Sequence, residues 1–160
     1  MKSAKLLSIL LLWSSASASA QTAAPSLEET IVWLKENISR FSQFYSAIGP
    51  ANTDVNVQQC VLTFRSGRVL NREMEWRKYE VPLKEINTNS IQVKENATRM
   101  RDFSVQWEAN NGEPFLSTNS ENATSRTKVT GINLTSKSHA ERVADAIKYA
   151  AILCGAKSMF

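Results

Sequence analysis

Hydrophobic and polar positions change rhythm twice along the chain. From Leu27 the apolar residues Leu27, Ile31, Leu34, Ile38, Phe41 and Tyr45 recur at steps of four and three, one face of a helix. Trp33 and Phe44 widen that face, and such an aromatic stripe suits a core face more often than a ligand groove. Ser26 and Glu29 stand at capping-box spacing ahead of it, and Gly49-Pro50 ends it.

The period then falls to two. Cys60, Leu62 and Phe64 share one face of a strand, and Ser66-Gly67 reads as the turn that follows. In EMEWRKYEVPL, Met74 and Trp76 are out of phase with Tyr79, Val81 and Leu83, which predicts a bulge or a break between Trp76 and Tyr79. Pro82 suits a strand end. SIQVKE predicts a short strand. Phe103, Val105 and Trp107 predict a clearer one, with Asn110-Asn111-Gly112 as a hairpin turn into EPFL. The polar string 117–127 reads as a mobile loop. Thr130, Ile132 and Leu134 alternate in a last strand.

The helical rhythm returns at Ser138, where Ser138 and Glu141 repeat the capping-box spacing. Val143, Ile147, Ala150 and Cys154 form one stripe with Ala146 and Ala151 beside it. Glu141, Asp145 and Lys148 lie on the other side, and Gly155 ends the helix. Strands grouped between two helices predict an α+β domain: an antiparallel sheet or roll of about 5–7 strands flanked by an N-terminal and a C-terminal helix.

The N-terminus changes the picture of where such a domain works. Lys2 and Lys5 precede a short apolar run, Leu6 to Trp13, and Ala18-Ser19-Ala20 has the form of a cleavage site. Residues 1–20 are therefore expected to be a secretory signal, with Gln21 first in a single mature domain, 21–160, that is periplasmic or secreted. The apolar run falls short of the roughly 20 residues that span a bilayer, and no later stretch could cross one. Removing Lys2 and Lys5 takes the formal charge from +4 to +2, which argues against nucleic acid as a partner. Export makes oxidation available to the chain's two cysteines. Cys60 and Cys154 both fall on apolar faces, and two cysteines allow one pairing, so a Cys60–Cys154 disulfide is expected.

Candidate chemistry is sparse. His139 is the only histidine, and its place beside Ser138 reads as a solvent-facing first turn. No cofactor is expected: there is no C-x-x-C, no P-loop, no G-x-S-x-G and no H-E-x-x-H. Arg65, Arg68, Arg72, Arg77 and Lys78 form a basic stretch around a hairpin, with Arg99 and Arg101 as further members. With Trp76 and Tyr79 interleaved, the stretch could hold an anionic ligand; its plainer reading is a solvated edge whose cations discourage edge-to-edge pairing. The strand carboxylates Glu73, Glu75, Glu80, Glu85, Glu108 and Glu113 leave open a small glycan hydrolase. N-x-S/T sequons stand at Asn37, Asn96, Asn122 and Asn133.

SLEETIVWLKENI, QQCVLTF, YEVPLKEI and AERVADAIKYAAILCGAKSMF together resemble a group of small exported bacterial proteins of unknown function, found in Acidobacteria-like genomes. The resembling features are Thr30–Lys35, Cys60, Tyr79–Leu83 and Arg142–Cys154, with Phe160 at the end. The resemblance implies a bacterial envelope protein without glycans, and a pleckstrin-homology-like roll as its fold. Taken together, the expected role is a non-catalytic exported binding domain, with an envelope protein or an anionic ligand as partner. The glycan hydrolase and a structural accessory subunit of an envelope complex are the alternatives.

Overall fold

The computed structural model describes residues 24–42, 52–70, 73–96, 102–110, 114–119 and 122–157. The expected signal, Gln21, Phe44, Tyr45, Gly49-Pro50, Arg72, Arg99, Arg101, Glu113 and Phe160 lie outside them.

Helix α1 spans Leu27–Phe41 and helix α2 spans Lys137–Leu153. Between them run β1 (Asn52–Gln58), β2 (Val61–Leu70), β3 (Glu73–Pro82), β4 (Gln92–Asn96), β5 (Asp102–Glu108), β6 (Phe115–Asn119), β7 (Thr124–Thr127) and β8 (Val129–Leu134). All strand pairs are antiparallel, in two sheets ordered β1-β2-β3-β6-β7 and β4-β5-β8. This is the expected α+β class, with eight strands where the periodicity suggested five to seven.

The two sheets are one meander folded at a corner. β3 pairs with β6 on one side of the corner, and β4, the continuation of β3, pairs with β5, from which β6 continues. β7 and β8 repeat the pattern against β6 and β5. Pairing carries across the fold line: Ile86 bridges Ala109, Asn87 N donates to Glu108 O at 2.9 Å, and Ala109 N donates to Lys128 O at 2.9 Å. Strands that bend from one sheet into the next are how orthogonal β-packing turns its corners. Trp107, Phe64, Phe115, Leu62, Val81 and Ile132 fill the inside of the bend, with the Phe64 and Trp107 rings edge-on at 6.3 Å.

Both helices close this bent sheet. α2 lies on β4, β5 and β8 and buries Ala140, Val143, Ala144, Ile147, Ala150 and Ala151; the small alanines let its axis come close to the strands. α1 packs on α2 and β1 through Thr30, Leu34 and Ile38. Its capping box is present: Glu29 N donates to Ser26 Oγ at 3.2 Å, and Ser26 N donates to Glu29 Oε2 at 2.7 Å.

Several local expectations are corrected. Cys60 is not on the face of Leu62 and Phe64. It forms, with Gln59, the two-residue turn that joins β1 to β2, because Gln58 pairs with Val61. Both turn residues have positive φ, 50° and 60°, as a type I′ hairpin turn requires. Ser66-Gly67 is strand, inside a β2–β3 ladder that runs unbroken from Val61↔Pro82 to Leu70↔Glu73, so there is no bulge at Trp76–Tyr79. The phase change arises because Trp76 belongs to the outer face, where the Arg65 guanidinium covers its ring at 5.3 Å. The string expected as a mobile loop supplies β6 and β7, whose Ser117 and Ser125 hydroxyls meet at 2.8 Å. The N-cap of α2 is Ser136, not Ser138.

The disulfide forms as expected. Cys60 and Cys154 are bonded, with Cα atoms 5.7 Å apart and a sequence separation of 94. Cys154 is the C-cap of α2, so the bond ties the end of that helix to the β1–β2 turn, whose Cys60 O also accepts Leu83 N at 2.8 Å.

Candidate functional site at the α1–α2 surface

The capping box sets where α1 begins, and α2 meets it there. Tyr149 Oη donates to Pro25 O at 2.8 Å, holding the chain just before α1 against the outer side of α2. Further along, the Arg142 guanidinium lies over the Trp33 ring, 5.1 Å from its centroid. Between these two contacts lies the small Ala146. The two helices leave an open cleft of about 530 Å³ lined by Pro25, Glu29, Thr30, Trp33, Arg142, Asp145, Ala146 and Tyr149. Trp33 and Glu29 also line a second hollow of about 460 Å³, on α1 alone, with Glu28, Val32 and Glu36. Trp33 is thus a wall shared by two concavities.

The polar groups here have unequal freedom. Glu29 accepts from the Ser26 backbone and, through its own N–H, engages the Ser26 hydroxyl; the backbone hydrogen bond above all holds its carboxyl below the usual carboxylate range. Thr30 Oγ1 donates to Ser26 O at 2.8 Å, leaving its oxygen to accept. Arg142 and Asp145 are exposed and make no ion pair among the described residues. The cleft therefore offers several acceptors and a single guanidinium donor. A carboxyl held ionised is a poor proton donor, so Glu29 does not suit the general-acid role that glycoside hydrolysis needs.

The basic stretch named from the sequence is not gathered into one surface. Arg65 and Lys78 are register partners on the outer face of the sheet, while Arg77 pairs with Ser66 on the opposite face. Each stands near a carboxylate: Arg65 to Asp54 at 3.4 Å, Arg77 to Glu75 at 3.9 Å, Lys78 to Glu80 at 2.7 Å. Arg68 falls on the Arg77 face by backbone position, and Arg72 is outside the described residues. A small hollow of about 80 Å³ is lined by Ser66, Gly67, Glu75, Arg77 and Tyr79 on this hairpin.

The strand carboxylates do not line either helix-side cleft. Glu85 lies 3.9 Å from Lys84, and Glu75 and Glu80 are matched as above. His139 is not solvent-facing. It is half-buried, stacked on Phe41 at 3.6 Å, with Nδ1 3.2 Å from Ser136 Oγ, and it joins the start of α2 to the end of α1. No group of three or more His, Cys, Asp or Glu side chains is placed to hold a metal among the described residues, and no described helix is long and apolar enough to cross a membrane.

Sequence reasoning put Trp33 on the core face and passed over Tyr149. The available signal was an aromatic on each helix outside its main buried stripe, Trp33 one position from Leu34 and Tyr149 one position from Ala150. The chain matches no family model, no curated protein and no solved structure. Its function has to be read from its own geometry.

Proposed function

We propose that the protein is an exported, non-catalytic binding domain of the bacterial envelope, and that it binds at the α1–α2 surface. One observation carries this reading. The cleft beside Trp33, about 530 Å³, brings together two aromatic walls, the Arg142 guanidinium stacked on one of them, and the Asp145 carboxylate, which makes no ion pair among the described residues. Ligand sites commonly combine an apolar concave wall with a few convergent polar groups. The disulfide supports both the oxidising compartment and the rigidity of the platform, since it anchors α2 to the sheet. The basic hairpin supports a binding role less well, because its described cations face opposite ways and are matched by carboxylates.

The test is a solution NMR titration of the disulfide-bonded domain with fractionated envelope extract. Amide shifts clustered on α1 and α2 around Trp33, Arg142 and Tyr149 are expected. Shifts confined to the β2–β3 hairpin, or none with any fraction, would overturn the placement of the site. Turnover of an envelope glycan by the purified domain, abolished by Glu75→Gln or Glu80→Gln, would establish the hydrolase instead.

A further inference from the structure

Negative charge gathers along the two clefts of the helix surface. Elsewhere Asp54 stands near Arg65, Glu75 near Arg77, Glu80 near Lys78 and Glu85 near Lys84, while Glu73, Glu95 and Glu108 make no ion pair among the described residues. On the helices, Glu28, Glu36 and Asp145 are exposed and make no ion pair among the described residues. All three line the two clefts that share Trp33, and Glu29, held ionised by its hydrogen bonds to Ser26, lines both. Arg142 is the only cation in either lining, and its guanidinium already faces the indole. Lys35 and Lys148 are exposed on the same two helices and line neither cleft.

Apolar surface coincides with this charge. Val32 is 51% exposed and lines the second hollow with Trp33. The two clefts, about 530 and 460 Å³, adjoin through Trp33 and Glu29. Both are open, so they suit a chain laid along them better than an enclosed small molecule. The indole's capacity for a cation is shown within the molecule, because Arg142 stacks on it. Four carboxylates against one guanidinium in the two linings disfavour an anionic occupant and favour a cationic one.

We infer that the occupant is a basic, extended segment of a partner protein: an apolar side chain enters the cleft beside Trp33, and lysine or arginine side chains lie against Glu28, Glu36 and Asp145. This rests on the α1–α2 surface being the binding site. The carboxylates are at the rim, so their pairs are screened by salt and act mainly on encounter and selectivity, while Trp33 and Val32 supply the buried contact.

The experiment uses the disulfide-bonded protein and three fluorescent probes in anisotropy titrations. They are a peptide alternating leucine and lysine, the same peptide with glutamate for lysine, and a neutral chito-oligosaccharide. The lysine peptide should bind with a Kd below about 1 mM, and the glutamate peptide should not. Affinity should fall about tenfold or more in Trp33→Ala and in the double variant Glu28→Lys/Glu36→Lys, and should drop steeply as salt is raised. Arg65→Ala should leave it unchanged. Circular dichroism melts confirm that the variants are folded, and the charge-reversal pair, which is exposed, keeps the test open if Trp33→Ala unfolds. If the oligosaccharide or the glutamate peptide binds and shifts amides of α1 and α2, the basic-segment inference fails while the binding surface stands. If the lysine peptide binds equally well to both variants and shifts amides elsewhere, both fail. No binding by the lysine peptide at about 1 mM overturns the basic-segment inference.

Discussion

Breaking the Cys60–Cys154 bond should remove a large part of this domain's stability without changing its fold. The bond closes a loop with a sequence separation of 94 residues. In the chain-entropy description, a loop of that length restricts the unfolded chain by about 4–5 kcal/mol at 25 °C. Local packing adds little. Cys60 sits in a tight turn and Cys154 caps a helix, and both are half-buried, so replacing either sulfur empties no sealed part of the core. Cys60→Ala, Cys154→Ala and the double variant should therefore lose the same stability, because each removes the same single cross-link. At roughly 3 °C per kcal/mol for a domain of this size, the melting temperature should fall by about 10–20 °C. The assay is urea unfolding followed by tryptophan fluorescence, with and without reductant, on wild type and the three variants. A double variant that loses the sum of the two single losses would refute the reasoning, since it would place the stabilisation in separate side-chain contacts. So would a reduced wild type within about 1 kcal/mol of the oxidised form.

Four further expectations follow from backbone and capping geometry. Gln59 holds φ at 50°, so Gln59→Gly should stabilise the β1–β2 turn by about 0.5–1 kcal/mol, read as a higher urea midpoint at unchanged slope. Gly131→Ala should destabilise by about 1–3 kcal/mol in the same assay, because its Cβ would meet the carbonyl oxygen of Val105 at 2.5 Å on the neighbouring strand. Ser26→Ala should cost about 1 kcal/mol through the lost hydroxyl cap of α1. The folded Glu29 carboxyl titrates below its unfolded value, so its contribution is present at neutral pH and is lost as pH falls through the folded value; urea midpoints measured on an acid series should show that decline in wild type and less of it in Ser26→Ala.

The regular parts of this fold were legible because burial imposes a period. Leu62 and Phe64, Phe103, Val105 and Trp107, and Ile132 and Leu134 alternate since each strand has one face on the core, and Leu34 with Ile38 marks the inner side of α1. Legibility failed where burial imposes no period. β7 is exposed along most of its length, so Thr124–Thr127 carries a loop's composition and becomes strand only through its pairing with β6. The β1–β2 turn uses Gln59 and Cys60 where glycine or asparagine is the usual signal, and Ser66-Gly67 supplied a false one. Ser136 and Ser138 both satisfy a capping pattern, and local sequence cannot choose between them. The disulfide could be inferred from the cysteine count even though Cys60 was placed on the wrong element. The candidate site was illegible for a different reason. Trp33 and Arg142 belong to elements more than a hundred positions apart, and on each helix they look like ordinary members of a half-exposed face.

The bent meander has a consequence for when the protein acquires its surface. The strand pairings span at most 42 positions, at Arg77↔Asn119, so the sheet closes over shorter stretches of chain than the helix pair does. The walls of the cleft come from the first and last described elements, and Tyr149 reaches Pro25 across 124 positions. A chain that lacked α2 would lose one wall of the groove and, with it, the apolar cover of β4, β5 and β8. The groove exists only where the two ends of the fold have met, so its walls report completeness of the domain in a way that no single strand pair does.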